Sequence, residues 1–437
     1  MKRSMRSTLL GNRVLSPETL MTSYGYDPFL SEGSVKPPVF LTSTFAFKSA
    51  EDGKDFFDYA SGRRKPPNAE GAGLVYSRFN HPNLQIVEER LAVLEGGESA
   101  AMFASGMAAI TASLLAFVRP GDVVLHSQPL YGGTDTLLNA TLAPFGIGAV
   151  GIFDGLKPAA FKDAVARTAG KNVPVIYMES PANPTCGLVD FDLVSSAADE
   201  IAARQGSRPL VIVDNTMLGP IYQKPLRHGV DLVVYSLTKY VGGHSDLVAG
   251  GVIGSEKHLA PIRKIRSAFG MQLDPHSSWM LGRSLETLHL RMQRATQSAA
   301  KVARWLAAHP KIERVYHPEL LADTDYQQAY RKTCTGGGST FSFTVKGGQA
   351  EAFKVLNSLG LFTLAVSLGG SESLICHPAS TTHSGVEKAT RDKLGVTDGL
   401  IRVSVGLEDP DDLIADLDGA LEQAFGNARA AALGTLP

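Results

Sequence analysis

Residues 232–239 read Leu-Val-Val-Tyr-Ser-Leu-Thr-Lys, a short apolar run that ends in hydroxyl side chains and a lysine. Apolar, β-branched side chains on both alternating faces are typical of a strand that is covered on both sides. A lysine at the end of such a strand loses hydration, which favours the neutral, nucleophilic amine. The run therefore predicts a buried strand with Lys239 as a reactive amine, able to form a Schiff base. The competing interpretation is a surface lysine whose stem covers apolar surface.

Further apolar runs at residues 123–125, 175–178 and 210–213 alternate with helix-like stretches between about residues 100 and 254. This alternation predicts a mostly parallel sheet wrapped by crossover helices. Ligands of such sheets bind beyond the carboxyl ends of the strands. The polar residues that follow the runs are therefore the first candidates for a site.

Asp214 directly follows the run 210–213 and supplies the second part of the chemistry. A buried carboxylate keeps a pyridine nitrogen protonated, and pyridoxal 5'-phosphate acts as an electron sink only in that state. An aspartate at one strand end and Lys239 at another therefore predict this cofactor. Taken alone, Asp214 also fits a helix N-cap.

Ser105, Gly106 and Met107 stand where a short apolar strand turns into an alanine-rich helix. The first N–H groups of a helix and the positive end of its dipole bind phosphate, so these residues predict the phosphate cradle. Ser236 and Thr238 are expected to donate further hydrogen bonds to that phosphate. A plain helix start is the alternative.

Tyr131 lies in the turn Leu130-Tyr131-Gly132-Gly133 after a predicted strand. An aromatic ring on such a turn can stack on a pyridine ring, so we expect Tyr131 to bind the cofactor. A buried core tyrosine fits the sequence equally well.

The composition excludes several classes of function. The 437 residues carry a net charge of −1 and show no run of roughly 18 uncharged apolar residues, so neither nucleic acid nor a membrane is expected as a partner. The three cysteines have no C-x-x-C spacing, which predicts neither a zinc site nor any other metal site. We expect a cytoplasmic protein.

The flanking segments differ from the central one. The stretch from Glu51 to Gly73, with its Gly62-Arg63-Arg64-Lys65-Pro66-Pro67-Asn68 sequence, predicts an exposed loop. Beyond residue 291, a helix over 299–308 and strands over 339–345 and 401–405 predict a smaller α+β domain. We expect an N-terminal arm and intersubunit segment at 1–80, a cofactor-binding domain at 81–290 and a C-terminal domain at 291–437.

The order and spacing of several motifs carry a family resemblance: Tyr76-Ser77-Arg78, Ser105-Gly106-Met107, Leu130-Tyr131-Gly132, Glu179-Ser180-Pro181-Ala182-Asn183-Pro184, Val213-Asp214-Asn215-Thr216, Ser236-Leu237-Thr238-Lys239-Tyr240, Asp274-Pro275-His276, Ser367-Leu368-Gly369-Gly370, His377-Pro378-Ala379-Ser380-Thr381-Thr382-His383 and Arg402-Val403-Ser404-Val405-Gly406-Leu407-Glu408. From residue 35 to 425 the chain resembles the cystathionine γ-synthase-like family of Cys/Met-metabolism enzymes. The resemblance implies an α/β, aspartate-aminotransferase-type fold (PLP fold type I). It also implies a homodimer as the active unit, usually paired into a tetramer.

The resemblance assigns further roles in the site. It implies that Tyr76 and Arg78 reach a phosphate held in the neighbouring subunit and that Asn183 meets the cofactor ring's oxygen. It places Ser367 and Arg402 at the substrate carboxylate, which a guanidinium binds in a bidentate manner. Without the resemblance, Arg402 in an apolar strand equally fits a structural ion pair.

The resemblance also implies the reaction. Lys239 would shuttle protons at the substrate's carbons, and Tyr131 would act as the general acid for the leaving group. Val366, directly before Ser367, stands where members that handle cystathionine tend to carry glutamate. As a substrate-binding residue, this apolar side chain favours a methionine γ-lyase type of γ-elimination. That reaction yields a 2-oxo acid, ammonia and the leaving group.

Two departures keep alternatives open. Gly133 stands where the methionine γ-lyases typically place cysteine, and the insertion at residues 56–73 is longer than the family pattern. The alternatives are γ-replacement, as in O-acetyl- or O-succinylhomoserine sulfhydrylases and cystathionine γ-synthases, and a γ-lyase for an oxygen-linked analogue such as canavanine. Outside these reactions, an aminotransferase shares the fold and the lysine.

Overall fold

The computed structural model describes residues 6–60, 63–65 and 73–426. The N-terminal part consists of short elements ahead of the main sheet. They are β1 (Leu9–Leu10), β2 (Arg13–Val14), α1 (Pro17–Ser23) and α2 (Ala50–Ala60). Strands β1 and β2 form a two-stranded antiparallel sheet.

The predicted loop from Glu51 to Gly73 is wrong for its first part, because α2 occupies residues 50–60. Phe56 is buried on one side of this helix. Gly53 lies against the Phe47 ring, where a Cβ would come within 3.0 Å of Cδ2. These contacts stabilise a helix that the polar sequence did not indicate. Residues 61–62 and 66–72, which belong to the same predicted loop and to the insertion, lie outside the described residues.

A seven-stranded sheet forms the centre of the chain, with the strand order β3-β9-β8-β7-β6-β4-β5. All neighbours from β8 to β5 run parallel, and only β9 runs antiparallel to both of its neighbours. The strands are β3 (Ser99–Phe103), β4 (Val123–Ser127), β5 (Gly148–Ile152), β6 (Val175–Glu179), β7 (Leu210–Asp214), β8 (Leu232–Ser236) and β9 (Gly250–Gly254).

Helices cover both faces of this sheet. Leu232 and Val234 of β8 belong to one buried cluster, whereas Val233 and Tyr235 belong to another. The apolar residues on alternating faces of the run are thus explained by cores on both sides. The helices are α3 (Pro82–Glu95), α4 (Gly106–Leu115), α5 (Gly132–Thr136), α6 (Pro158–Arg167), α7 (Phe191–Gln205), α8 (Gly219–Tyr222), α9 (Glu256–Phe269), α10 (Pro275–Leu285) and α11 (Leu288–Ala308).

A second, five-stranded sheet has the order β10-β11-β14-β13-β12 and is antiparallel except for the β12–β13 pair. Its strands and the accompanying helices are β10 (Ile312–Tyr316), α12 (Thr324–Thr333), β11 (Thr340–Val345), α13 (Gln349–Ser358), β12 (Thr363–Leu364), β13 (Leu374–Cys376), α14 (Lys388–Lys393), β14 (Leu400–Ser404) and α15 (Pro410–Phe425). Within the described ranges, no helix has the length and apolar character that crossing a membrane requires.

The register of the large sheet places three polar strand ends side by side. Glu179 at the end of β6 pairs with Asp214 at the end of β7, and Asp214 pairs with Val234 of β8. Lys239 follows β8 by one short turn. The carboxyl edge of the sheet therefore collects two acids and one amine in a small volume.

Candidate active site

A cavity of about 280 Å³ opens at this edge, between the large sheet and the β12–β14 side of the small sheet. It brings together most of the residues predicted from the sequence. The predicted residues that line it are Ser105, Gly106, Met107, Tyr131, Asn183, Asp214, Ser236, Thr238, Lys239, Val366, Ser367 and Arg402.

Lys239 is the amine of the cavity. Its Nζ donates a hydrogen bond to Ser367 Oγ at 2.8 Å. Loss of hydration, together with the positive charge of Arg402, lowers the pKa of Lys239 to about 8. A substantial fraction of the amine is therefore neutral near physiological pH, as a nucleophile or base must be.

Asp214 presents a buried carboxylate to the cavity. Oδ1 accepts hydrogen bonds from Thr216 N at 3.0 Å and Thr216 Oγ1 at 2.6 Å, and Oδ2 accepts one from Tyr177 Oη at 3.3 Å. Burial raises the pKa of Asp214. These three donors are neutral, so they orient the carboxylate without balancing its charge. The N-cap alternative does not hold, because the next helix, α8, begins only at Gly219.

Glu179 is a cavity residue to which the sequence assigned no role. Its Oε2 accepts a hydrogen bond from Tyr131 N at 2.7 Å, and its Oε1 accepts one from Asn183 N at 2.9 Å. Burial, followed by the negative charge of Asp214, raises the pKa of Glu179 to about 8. The available signal was an acid as the last residue of an apolar run.

The N-terminus of α4 forms a concave backbone cradle. Ser105 Oγ caps the helix by accepting from Ala108 N at 3.0 Å. A Cβ on Gly106 would lie 2.9 Å from Ser236 Cβ, so only glycine leaves the space open. Thr238 Oγ1 already donates to Ala249 O at 3.1 Å, so a hydrogen bond from this hydroxyl to a phosphate requires that contact to open.

Arg402 connects the small sheet to the cavity and is 3% exposed. Nη1 donates to Asn183 Oδ1 at 3.2 Å and Nη2 donates to Ser367 O at 2.7 Å, whereas the buried Nε has no acceptor among the described residues. These acceptors are neutral, so the contacts do not form the structural ion pair considered above. Ser367 has a φ of 102°, which turns its carbonyl to Arg402 and its hydroxyl to Lys239.

Tyr131 is not a core residue, because 41% of it is exposed at the cavity. Val366 and Val248 are 54% and 59% exposed and line the same cavity. The cavity therefore has an apolar, accessible side. Gly132 leaves no room for a side chain, since a Cβ there would lie 2.1 Å from Thr382 O.

Tyr76 and Arg78 do not line the cavity of their own chain. Tyr76 is 39% exposed, and Arg78 Nη1 donates to Ser267 O at 2.8 Å while its guanidinium lies over the Phe79 ring. Their predicted contact with a phosphate in a neighbouring subunit remains a prediction.

Comparison with known proteins supplies the family. The family described as "Cys/Met metabolism PLP-dependent enzyme" matches residues 18–422. The chain belongs to this family. Its cofactor is therefore pyridoxal 5'-phosphate, and it is a PLP-dependent carbon–sulfur lyase of amino-acid metabolism.

Individual members of the family are similar over almost the whole chain. An L-methionine gamma-lyase from Fusobacterium nucleatum subsp. polymorphum is 40% identical over 416 residues, covering 95% of this chain and 98% of that protein. An L-methionine gamma-lyase from Pseudomonas putida is 40% identical over 415 residues, with coverage of 94% and 98%. The crystal structure of cystathionine gamma synthase from Xanthomonas oryzae pv. oryzae in complex with cystathionine superposes with a TM-score of 0.83 at 32% identity, covering 94% of this chain and 99% of that one. These comparisons confirm the expected fold class and the γ-elimination or γ-replacement chemistry.

The cavity fits the cofactor of the family. It offers a partly neutral amine at Lys239, a buried carboxylate without countercharge at Asp214 and a helix N-terminus kept open by Gly106. These groups match an aldehyde, a pyridinium nitrogen and a phosphate in turn.

Proposed function

We propose that the protein catalyses γ-elimination on methionine, giving 2-oxobutanoate, ammonia and methanethiol with the uptake of one water. The observation that carries the proposal is the apolar side of the cavity formed by Val366, Val248 and Met107. Burying a charged distal group against these side chains is costly, whereas a methylthio group gains from their contact. The similarity to L-methionine gamma-lyases supports the same assignment.

When bound, the cofactor supplies an aldehyde that joins the substrate amine and a protonated ring that absorbs charge from Cα. Asp214 holds the proton at the ring nitrogen, since a carboxylate stabilises the charged pyridinium. Arg402 binds the substrate carboxylate through Nε and the Nη atoms. These contacts orient the amino acid in the cavity.

Lys239 is the base of the proposed reaction. Its neutral Nζ removes the Cα proton and becomes charged, so it must give up this proton before it can remove a Cβ proton. Nζ donates a hydrogen bond to Ser367 Oγ at 2.8 Å, which holds the amine in place. The Tyr131 hydroxyl donates a proton to the departing sulfur. Its exposure at the cavity leaves it free to approach the γ-position.

The test is product analysis of the holoenzyme with methionine, cystathionine, canavanine, and O-acetylhomoserine plus sulfide, each assayed separately. We expect 2-oxobutanoate and methanethiol from methionine, identified by mass spectrometry, and none from a Lys239→Ala variant. No 2-oxobutanoate from methionine would refute the proposal. Homocysteine from O-acetylhomoserine and sulfide would instead identify a replacement enzyme.

A further inference from the structure

Tyr131, the proposed general acid, and Asn183, which the family resemblance places at the cofactor ring's oxygen, lie on different segments of the chain. Tyr131 opens α5 after β4, and Asn183 lies in the loop after β6. The Glu179 carboxylate accepts the backbone N–H of both, one on each oxygen, at 2.7 and 2.9 Å. A single side chain therefore connects two walls of the cavity.

Burying the ionised Glu179 side chain beside a second acid costs free energy. Glu179 is 4% exposed and its carboxylate lies close to that of Asp214, so both burial and like charge oppose ionisation. Two N–H donors offset part of that cost. An apolar residue would fill the volume without it, but would leave two backbone donors at the edge of the cavity unsatisfied.

We infer that Glu179 is a positioning residue that fixes the Tyr131 ring and the Asn183 carboxamide by holding both backbone N–H groups. The inference rests on the role of Tyr131 in the proposed function and on the role that the family resemblance gives to Asn183. Asn183 Oδ1 also accepts a hydrogen bond from Arg402 Nη1 at 3.2 Å. The position of Asn183 therefore also affects the guanidinium that is proposed to bind the substrate carboxylate. Loss of the hydrogen bond to Tyr131 N should lower kcat, because Tyr131 is the proposed acid. Loss of the hydrogen bond to Asn183 N should raise KM, because Asn183 contacts Arg402.

At a pH above the Glu179 pKa of about 8, both oxygens of the wild-type carboxylate are acceptors. Glu179→Gln is then the sharpest variant, because it keeps the shape and replaces one acceptor oxygen with an NH₂ donor. One of the two backbone N–H groups then faces another donor. Glu179→Asp retains both oxygens but is shorter by about 1.5 Å, one carbon–carbon bond. The matched control is Glu88→Gln, since Glu88 Oε1 accepts from Met102 N at 2.8 Å and from Arg266 Nη1 at 2.6 Å away from the cavity.

The primary measurement is hydrogen–deuterium exchange of the holoenzyme. In Glu179→Gln we expect exchange about tenfold faster, the equivalent of one lost hydrogen bond, in the peptides that contain Tyr131 and Asn183. Glu88→Gln should leave both peptides at the wild-type rate. Glu179→Asp should give a smaller increase at both, and it serves as the test variant if the Gln variant does not fold.

Kinetics with methionine give the second readout. We expect kcat/KM to fall about tenfold or more in Glu179→Gln, through both kcat and KM, and to stay within about twofold of wild type in Glu88→Gln. Wild-type exchange at both peptides, or equal changes in the Glu88 control, would overturn the inference. If the wild-type enzyme does not cleave methionine, the proposed function fails while the exchange result still decides the role of Glu179.

Discussion

The protonation state of Lys239 determines whether its amine can react with an aldehyde. Its amine has a pKa of about 8 rather than 10.5, because burial and Arg402 disfavour the charged form. Below that pKa the amine is protonated and cannot attack an aldehyde. The reactive fraction should therefore rise with pH, be half of its maximum near pH 8 and approach the maximum about one to two pH units higher.

The prediction is tested by adding pyridoxal phosphate to the apoenzyme at pH 6 to 10 and trapping the product with borohydride. We expect the initial rate to increase about tenfold per pH unit well below 8, to be half of its maximum near 8 and to level off between about pH 9 and 10. Peptide mapping should find the label on Lys239. A rate that keeps rising towards pH 10.5 would indicate an ordinary, hydrated lysine.

Replacing Asp214 should lower activity without lowering stability. Asp214→Asn removes a carboxylate whose pKa burial has raised, so we expect the free energy of unfolding of the apoenzyme to stay equal or increase. Activity should fall roughly 10²-fold or more, because an amide cannot hold the ring nitrogen protonated. Thermal melts and methionine turnover measure the two effects, and a parallel loss of both would contradict this account.

The sequence could predict that Lys239 and Asp214 lie together in a cavity, because each comes after an apolar run at the carboxyl edge of the sheet. Their chemical roles remain predictions. Glu179 ends a run in the same way, yet its partners are the backbone N–H groups of Tyr131 and Asn183. Backbone donors are present in every residue but proline, so the sequence does not reveal which of them a carboxylate will meet. The backbone carbonyl of Ser367, which accepts from Arg402 Nη2, was hidden for the same reason.

At the scale of elements, the strands were predictable and α2 was not. The runs at 175–178, 210–213 and 232–235 coincide with β6, β7 and β8, because strands covered on both faces must be apolar throughout. Helix α2 is polar and stabilised by Phe56 and by the contact of Gly53 with Phe47. The glycine, charged and proline residues that follow it at 62–68 favoured a loop for the whole stretch.

The start of α4 permits a test of the phosphate cradle. We expect Gly106→Ala to weaken pyridoxal phosphate binding about tenfold or more, because the new Cβ would meet Ser236 within 2.9 Å. The control is Gly419→Ala in α15, where a Cβ meets nothing within 4 Å and should stabilise the protein by about 0.5–1 kcal/mol. Fluorescence titration of the apoenzymes measures the affinities. Wild-type affinity in Gly106→Ala would exclude this cradle.

At the scale of the whole molecule, the N-terminal segment exposes large apolar side chains. Phe29, Leu30, Val35 and Leu41 are between 75% and 84% exposed. Apolar side chains clustered in one exposed segment are typical of a surface that another subunit covers. Tyr76 and Arg78 follow this segment and do not line their own chain's cavity, which agrees with the expected contribution to a neighbour.

Mixed oligomers test that contribution. Arg78→Ala and Lys239→Ala should each be nearly inactive, since each lacks one part of every site. When the two chains are co-expressed, random pairing gives half heterodimers, each with one intact site, so we expect about a quarter of wild-type activity. Sites confined to single chains would show no recovery.

The surroundings of Arg402 affect which cellular molecules the site accepts as substrates. Its Nη groups are held by neutral oxygens, and its Nε is buried without an acceptor in the part of the chain that the structure describes. A free carboxylate can satisfy that donor and balance the guanidinium charge, whereas the amide carbonyl of a residue within a polypeptide brings no charge. If the proposed cleavage of methionine holds, methionines within finished proteins, including those of this chain, should therefore be spared while the free amino acid is cleaved.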